Sequence, residues 1–335
     1  MTVDRAGLIR LWDRFGLMAV VLGSWLFFAY FATGFTSDFN LFAFGRSVSI
    51  WIVIGLSQMV VLAIGQMNIS VGAIGGVTAM VLGWLLEGWG LPWPIAVLLG
   101  VVAGFALGVI NGAIIVRTRI NAFVVTLGTA SVFTGLMYIA TKADAFRTLP
   151  ADFLDLRKEH LLGQPISWLV IMMLAVVVAL WLLYRGTTLG RQMLATGANQ
   201  RAARMAGVPT DRIIIVTHGL SGALAGIAGM MLVLRLGSAI PSIGEEFLLP
   251  SFAAPAIGGT LLTGGVVYVF GTLLGGLLIG TIENGLNLLA IPNFWVQLVT
   301  GLVLLLAVLL DRARTVAVAR SRVVRETVAP EVLTT

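Results

Sequence analysis

Polar side chains set into otherwise apolar sequence are the first chemistry this chain offers. Gln66, Asn68 and Ser70 interrupt the oil between two hydrophobic stretches. Asn111 and Asn121 flank a turn that carries Arg117 and Arg119, and Glu283, Asn284 and Asn287 cluster near the end of a later stretch. A carboxamide offers donors and acceptors from one group, which suits hydroxyl-rich, uncharged solutes. Inside a membrane span such residues are the default candidates for a solute pathway. The same amides serve equally to cap broken helices or to bond across a bundle. Glu283 either touches solute or snorkels to the surface. His218 either relays protons or donates to a backbone carbonyl within a bundle.

A second kind of chemistry sits in the stretch 185–212. It carries Arg185, Arg191, Arg201, Arg204 and Arg212, one acid (Asp211) and no lysine, between two apolar spans. Its middle, Asn199 to Ala206, reads as a short helix. Asn199 is a good N-cap, alanine and arginine favour helix, and Gly207 followed by Val208-Pro209 stops it. A short, basic, capped helix between spans is a docking element for a partner.

Several chemistries are absent. The only lysines are Lys142 and Lys158, preceded by Thr141 and Arg157, so the chain has no Gly-Lys-Ser/Thr phosphate loop. The only histidines are His160 and His218, and there is no cysteine. No HExxH or GxSxG arrangement occurs and no metal-ligand set suggests itself, so neither catalysis nor a metal or cofactor is expected.

The elements that must position these groups are membrane helices. The 335 residues are 59% hydrophobic and 11% charged, against about 25% charged in soluble domains. Mean hydropathy is +1.01 and the pI about 10.5. Apolar runs near the ~20 residues needed to cross a bilayer recur from end to end. The pattern predicts an all-α polytopic membrane protein of about ten spans: 17–33, 45–64, 70–87, 93–115, 122–140, 165–184, 213–235, 247–263, 266–287 and 294–310. Eight remain if a short glycine-rich pair is re-entrant. The first span reads as a retained helix, since no small-residue cleavage site follows it. The expected layout is a cytoplasmic N-terminus (1–16), a transmembrane region (17–310, with the loop 185–212) and a cytoplasmic tail (311–335). The net charge of +6 follows the positive-inside rule rather than any nucleic-acid partner. Arginines gather in the N-terminus, the 117–119 turn, the 185–212 loop and the tail, which predicts both termini inside.

Small residues recur at four-residue spacing: Gly100, Gly104 and Gly108; Gly72/Gly76; Gly222/Gly226; Gly271/Gly275; Gly276/Gly280. Such ridges let helix backbones approach closely in lipid. A faint internal repeat links Ala73-Ile-Gly-Gly76 to Ala256-Ile-Gly-Gly259, and Asn111-Gly112 to Asn284-Gly285. In the predicted order the copies lie five spans apart, which predicts inverted five-helix repeats with a pathway between them.

These residues resemble one family. Gly65-Gln-Met-Asn-Ile-Ser-Val-Gly72 is similar to the GGIDLSVG signature of the permease subunits of ribose-type ABC importers. Asn111-Gly112, Val125-Thr-Leu-Gly-Thr129, Thr188-Leu-Gly-Arg191, Ala195 to Ala203 with Gly207, Ala256 to Thr260 and Asn284-Gly-Leu-Asn287 follow in the family's order. The resemblance implies import of a monosaccharide or related polyol, powered by ATP hydrolysis in a separate ABC ATPase subunit. It also implies an extracytoplasmic substrate-binding protein and a second permease, either a copy or a relative, in the lipid of the cell inner membrane. On this resemblance the helix at Ala198, Asn199, Gln200, Arg201, Ala202, Ala203, Arg204 and Gly207 is the element that couples to the ATPase. The family's aspartate is Asn68 here and its paired glycine is Gln66, which weakens any transfer of ribose as the solute. Branched-chain amino acid permeases share the plan and are the alternative within the class. A stand-alone, ion-coupled secondary transporter is the alternative outside it.

Overall fold

The structure, a computed structural model, describes residues 5–157 and 166–292, and of the stretch beyond them residues 294, 295, 298, 301, 302, 305 and 309. Lys158, Glu159, His160, the tail 311–335 and much of the expected span 294–310 lie outside the described residues. Among the described residues the fold is all helical; the Phe146–Ala239 pair forms an isolated bridge.

Seven described helices are long and apolar enough to cross a bilayer. They are α2 (Asp38–Leu62), α3 (Val71–Gly83, continued by a π-helical turn to Gly88), α4 (Trp93–Thr118), α5 (Ala122–Thr141), α7 (Trp168–Gly186), α10 (Thr210–Leu236) and α12 (Val269–Leu288). An apolar helix, α1 (Arg5–Phe31), precedes them, and a short α6 (Ala151–Asp155) lies between α5 and α7. Two further short helices, α8 (Thr188–Ala198) and α9 (Gln200–Met205), make up most of the basic loop. The chain is a multi-pass membrane protein.

The expected span 247–263 takes a different form. Its helix, α11 (Leu248–Ile257), has ten residues and rises ~15 Å, half of a ~30 Å hydrocarbon core. Pro255 lies inside it, and Gly258 and Gly259, with Gly259 at φ +80°, end it in turns. A comparable break separates α2 from α3, where Gly65 takes φ +69°. The two breaks touch: the Gly265 amide donates to the Ala63 carbonyl at 3.0 Å. Each break therefore satisfies backbone groups of the other, the condition for irregular backbone at membrane depth.

Helices α2 and α10 form the centre. Every residue from Val48 to Leu62 of α2 except Trp51 is buried, and α10 is buried along most of its length. Packing follows the small-residue ridges. A Cβ on Gly104 would meet the Gly222 carbonyl at 2.6 Å, and one on Gly112 the Ile215 Cα at 2.6 Å. Gly276 faces Ile52 and Gly280 faces Val48, so α12 runs antiparallel to α2. The bundle thus has two ends. One gathers the C-termini of α2 and α4, the start of α10, and α8 and α9. The other gathers the start of α2 and the end of α10, where an Arg46 Nη donates to the Arg235 carbonyl at 3.0 Å.

Candidate functional site

The α2–α3 break is held by a chain of buried amides and hydroxyls. Asn111 donates from Nδ2 to Ser70 Oγ at 2.7 Å, and Ser70 Oγ donates to Asn68 Oδ1 at 2.7 Å. The Ser70 backbone N–H also donates to Asn68 Oδ1, at 3.1 Å, which fixes the orientation of that amide. Asn68 Nδ2 donates to Ser221 Oγ at 3.0 Å, while Ser57 donates to the Ser221 carbonyl at 2.9 Å. The Gln58 carboxamide pairs with both backbone groups of Asn68, donating to its carbonyl at 3.0 Å and accepting from its N–H at 3.2 Å. Asn68, Ser70 and Asn111 are wholly inaccessible to solvent. Here three of the sequence-predicted pathway residues come together, and they tie α2, α3, α4 and α10 around the break. Gln58, Ser57 and Ser221 complete the network and were not singled out from sequence; polar residues inside strongly apolar spans were the available signal.

Replacing Asn68 with leucine keeps the side chain's size but leaves the Ser70 N–H and the Ser70 hydroxyl without their acceptor. Each buried orphan costs ~1–3 kcal/mol. A lower melting temperature in detergent is expected, with no comparable loss for Asn287→Leu, whose side chain is exposed. Equal losses from the two variants would remove the network's structural role.

Toward the end of the bundle that holds α8 and α9 lies a cleft of about 440 Å³, lined by Gln66, Arg119, Asn121 and Gln200 among others. Gln66 Oε1 lies 2.9 Å from His218 Nε2, so the fully buried histidine meets a side-chain amide rather than a backbone carbonyl. Asn121 caps α5, its Oδ1 accepting from the Phe123 N–H at 2.8 Å. Amide and guanidinium groups around an open cleft match what a polyhydroxyl solute needs. A second cavity, about 400 Å³, lies against Met80, Trp84, Leu107, Phe133 and Leu136 and presents almost no polar group to such a solute.

The basic loop is an elbow of two helices rather than one. Thr187 caps α8 by accepting from the Gly190 N–H at 3.1 Å. The Thr-Thr-Leu-Gly start with helix-favouring residues behind it was the readable signal for α8. Asn199 caps α9, its Oδ1 accepting from the Ala202 N–H at 3.0 Å. The end of α9 is a Schellman turn: Val208 N–H donates to Ala203 O at 3.0 Å and Gly207 N–H to Arg204 O at 3.1 Å. That turn needs a left-handed residue, and Gly207 supplies φ +83°. Ala203 faces inward, while Ala198, Asn199, Gln200, Arg201, Ala202 and Gly207 are exposed. Met205 is 86% exposed, a large apolar side chain thrust outward from a basic helix, and it was not singled out from sequence. Arg204 turns back into the chain, donating to Asp211 Oδ1 at 2.8 Å and to Thr210 Oγ1. Asp211 also takes two bonds from Arg119, both 2.9 Å. This hydrogen-bonded carboxylate holds the Arg119 guanidinium above the usual arginine pKa.

Glu283, Asn284 and Asn287 occupy the last turns of α12, at the bundle end away from the cleft. Glu283 and Asn284 are half-buried and Asn287 is exposed. The Asn284 Nδ2 is buried without a partner. No hydrogen bond joins these three to the Asn68 network among the described residues.

The chain matches a protein-family model described as "Branched-chain amino acid transport system / permease component" over residues 40–308. Among curated proteins it is 33% identical over 304 residues to the D-allose transport system permease protein of Escherichia coli (strain K12), covering 90% of this chain and 92% of that one. It is 37% identical over 283 residues to the ribose import permease protein of Bacillus subtilis (strain 168), covering 84% and 87%. It is 34% identical over 310 residues to the L-arabinose ABC transporter permease protein of Azospirillum brasilense, covering 92% and 91%. No solved structure matches the chain.

Proposed function

The chain belongs to the transport-system permease component family, and we propose that it is the membrane subunit of an ABC importer for a monosaccharide or related polyol. The relatives named above carry the names of sugars, not of amino acids, which favours a sugar over a branched-chain amino acid. ATP hydrolysis then belongs to a separate subunit, and delivery to a substrate-binding protein outside. A second permease, copy or relative, completes the membrane core in lipid.

The observation that carries the reading is the α8–α9 elbow. Its capped second helix presents exposed Gln200, Arg201, Ala202 and Met205 beyond the bundle end. In this reading that end is cytoplasmic, both termini are inside, and about ten segments enter the membrane with α11 as a half-length one. The inverted repeats, and the division into 1–16, 17–310 and 311–335, belong to the same proposal. So do the roles of individual residues. Ala198, Asn199, Gln200, Arg201, Ala202 and Gly207 dock the ATPase, Ala203 and Arg204 seat α9 on the bundle behind them, and we add Met205 as an apolar anchor. Gln66 and Asn121 line the inner mouth of the pathway. Asn68, Ser70 and Asn111 hold the break beside it, and Glu283, Asn284 and Asn287 face the outer end.

The test uses the absence of cysteine from the chain. A single cysteine at Ala202, in membranes that also hold the ATPase subunit, is expected to crosslink to it, and the yield is expected to shift with ATP. Lack of any crosslink, together with uptake that persists without the ATPase and collapses with an uncoupler, would favour the secondary transporter.

A further inference from the structure

We propose that Asp211 is a positioning residue that ties the α8–α9 elbow to the rim of the polar cleft, so that movement of α9 moves the cleft mouth. The proposal rests on the permease reading above and assigns a link that reading leaves open.

The geometry is a three-part clamp. Arg204 comes from α9, Asp211 from the first turn of α10, and Arg119 from the turn between α4 and α5. One carboxylate holds both guanidinium groups, at 2.8 Å from Arg204 and at 2.9 Å twice from Arg119. A two-bond guanidinium–carboxylate pair fixes direction as well as distance. Arg204 has a second anchor in Thr210, which is 1% exposed. Arg119 is itself the left-handed cap of α4, at φ +60°, and Asn121 beside it caps α5. Arg119 and Asn121 both line the cleft, as does Gln200 of α9. The clamp therefore joins the helix that would meet the ATPase to the two helix ends that frame the cleft. Asp211 is the single acid in the stretch 185–212; without it two guanidinium groups face each other.

Magnitude separates this role from a structural one. The Arg119–Asp211 side chains are 57% and 39% exposed, and Arg204 is 52% exposed. Water and salt screen pairs this exposed, so they contribute little to stability. Loss of the clamp should leave the fold in place and appear in coupling.

The experiment reconstitutes the chain with its ATPase and binding protein in proteoliposomes and measures ATP hydrolysis and uptake on the same vesicles. Radiolabelled D-ribose, D-allose and L-arabinose serve as solutes. Asp211→Asn is expected to assemble normally and hydrolyse ATP near the wild-type rate, with uptake per ATP lowered at least about fivefold. Asp211→Glu, which keeps the carboxylate, should recover most of the ratio. A readout independent of the solute is the reactivity of a single cysteine at Ile120, on the cleft wall, toward a membrane-impermeant thiol reagent. It should change with ATP in the otherwise wild-type complex and stop changing in Asp211→Asn. An unaltered uptake ratio or an unaltered ATP response in Asp211→Asn overturns the proposal, as does parallel loss of hydrolysis, assembly and uptake. Uptake by the unmutated chain without its ATPase would instead refute the permease reading, whatever the variants do.

Discussion

Replacing Gly108 with leucine is expected to leave little folded protein in the membrane. Gly108 stands where α4 crosses α10, and a Cβ there would land on the His218 carbonyl oxygen, with the Gly219 Cα at 2.9 Å. These neighbours are backbone, so no rotamer change relieves the clash. The contact is also one of a series. Gly104 meets the Gly222 carbonyl one turn away, and Gly112 meets Ile215 on the other side. Separating the helices at Gly108 therefore loosens the whole crossing. Ordinary overpacking costs ~1–3 kcal/mol, and a backbone-limited clash in a continuous seam should exceed that. His218 and Ser221 lie on the same stretch of α10, so the amide network around Asn68 would be pulled apart with it. Membrane level and the melting temperature in detergent are the measurements. Gly23→Leu is the control, since a Cβ at Gly23 meets nothing within 4 Å. Normal levels and melting of Gly108→Leu would mean that the small-residue seam does not hold the bundle.

That seam was legible in the sequence because its cause is local to the helix. Glycines four residues apart lie on one face of a helix and leave a groove whatever the partner is. Each spaced pair read from the sequence meets a neighbouring element closely: Gly72 and Gly76 meet the backbone of Gly244 and Ile243, and Gly275 meets that of Ala254. The caps were legible for the same reason. Asn199 and Gly207 are signals read by the two or three residues beside them, and α9 begins and ends where they stand. What was not legible depends on distant partners. Hydropathy alone does not distinguish a full span from α11, because the break at Gly258 is sustained by contact with Gly271 and with the opposite break at Ala63. The partners of Asn68, namely Gln58 and Ser221 with Ser57 behind it, come from other parts of the chain, so its place in a buried network could not be read from the residues beside it. Met205 and Arg204 are adjacent in sequence and opposite in fate, one 86% exposed and the other turned back onto Asp211. Only the position of α10 decides between them.

Replacing Gly207 with tryptophan is expected to abolish ATP-driven uptake while the folded chain remains in the membrane. Two observations separate these effects. The first is that Gly207 has φ +83°, so any side chain there carries left-handed strain of ~1–2 kcal/mol. That is a modest fraction of a typical 5–15 kcal/mol stability. The second is that a Cβ at Gly207 meets nothing within 4 Å, so no clash within the chain adds to it. The indole would project from the bundle end beside exposed Met205 and Ala206. If α9 seats in a groove of the ATPase, a bulky group there holds the two surfaces apart. Gly207→Ala isolates the backbone term, carrying the strain without the bulk, and should keep most of the uptake. The pair of variants thus separates a conformational requirement from a steric one. Equal loss in both would trace the defect to the Schellman turn itself. Full uptake by Gly207→Trp would remove α9 from the docking surface, and with it the assignment of Met205 as its anchor.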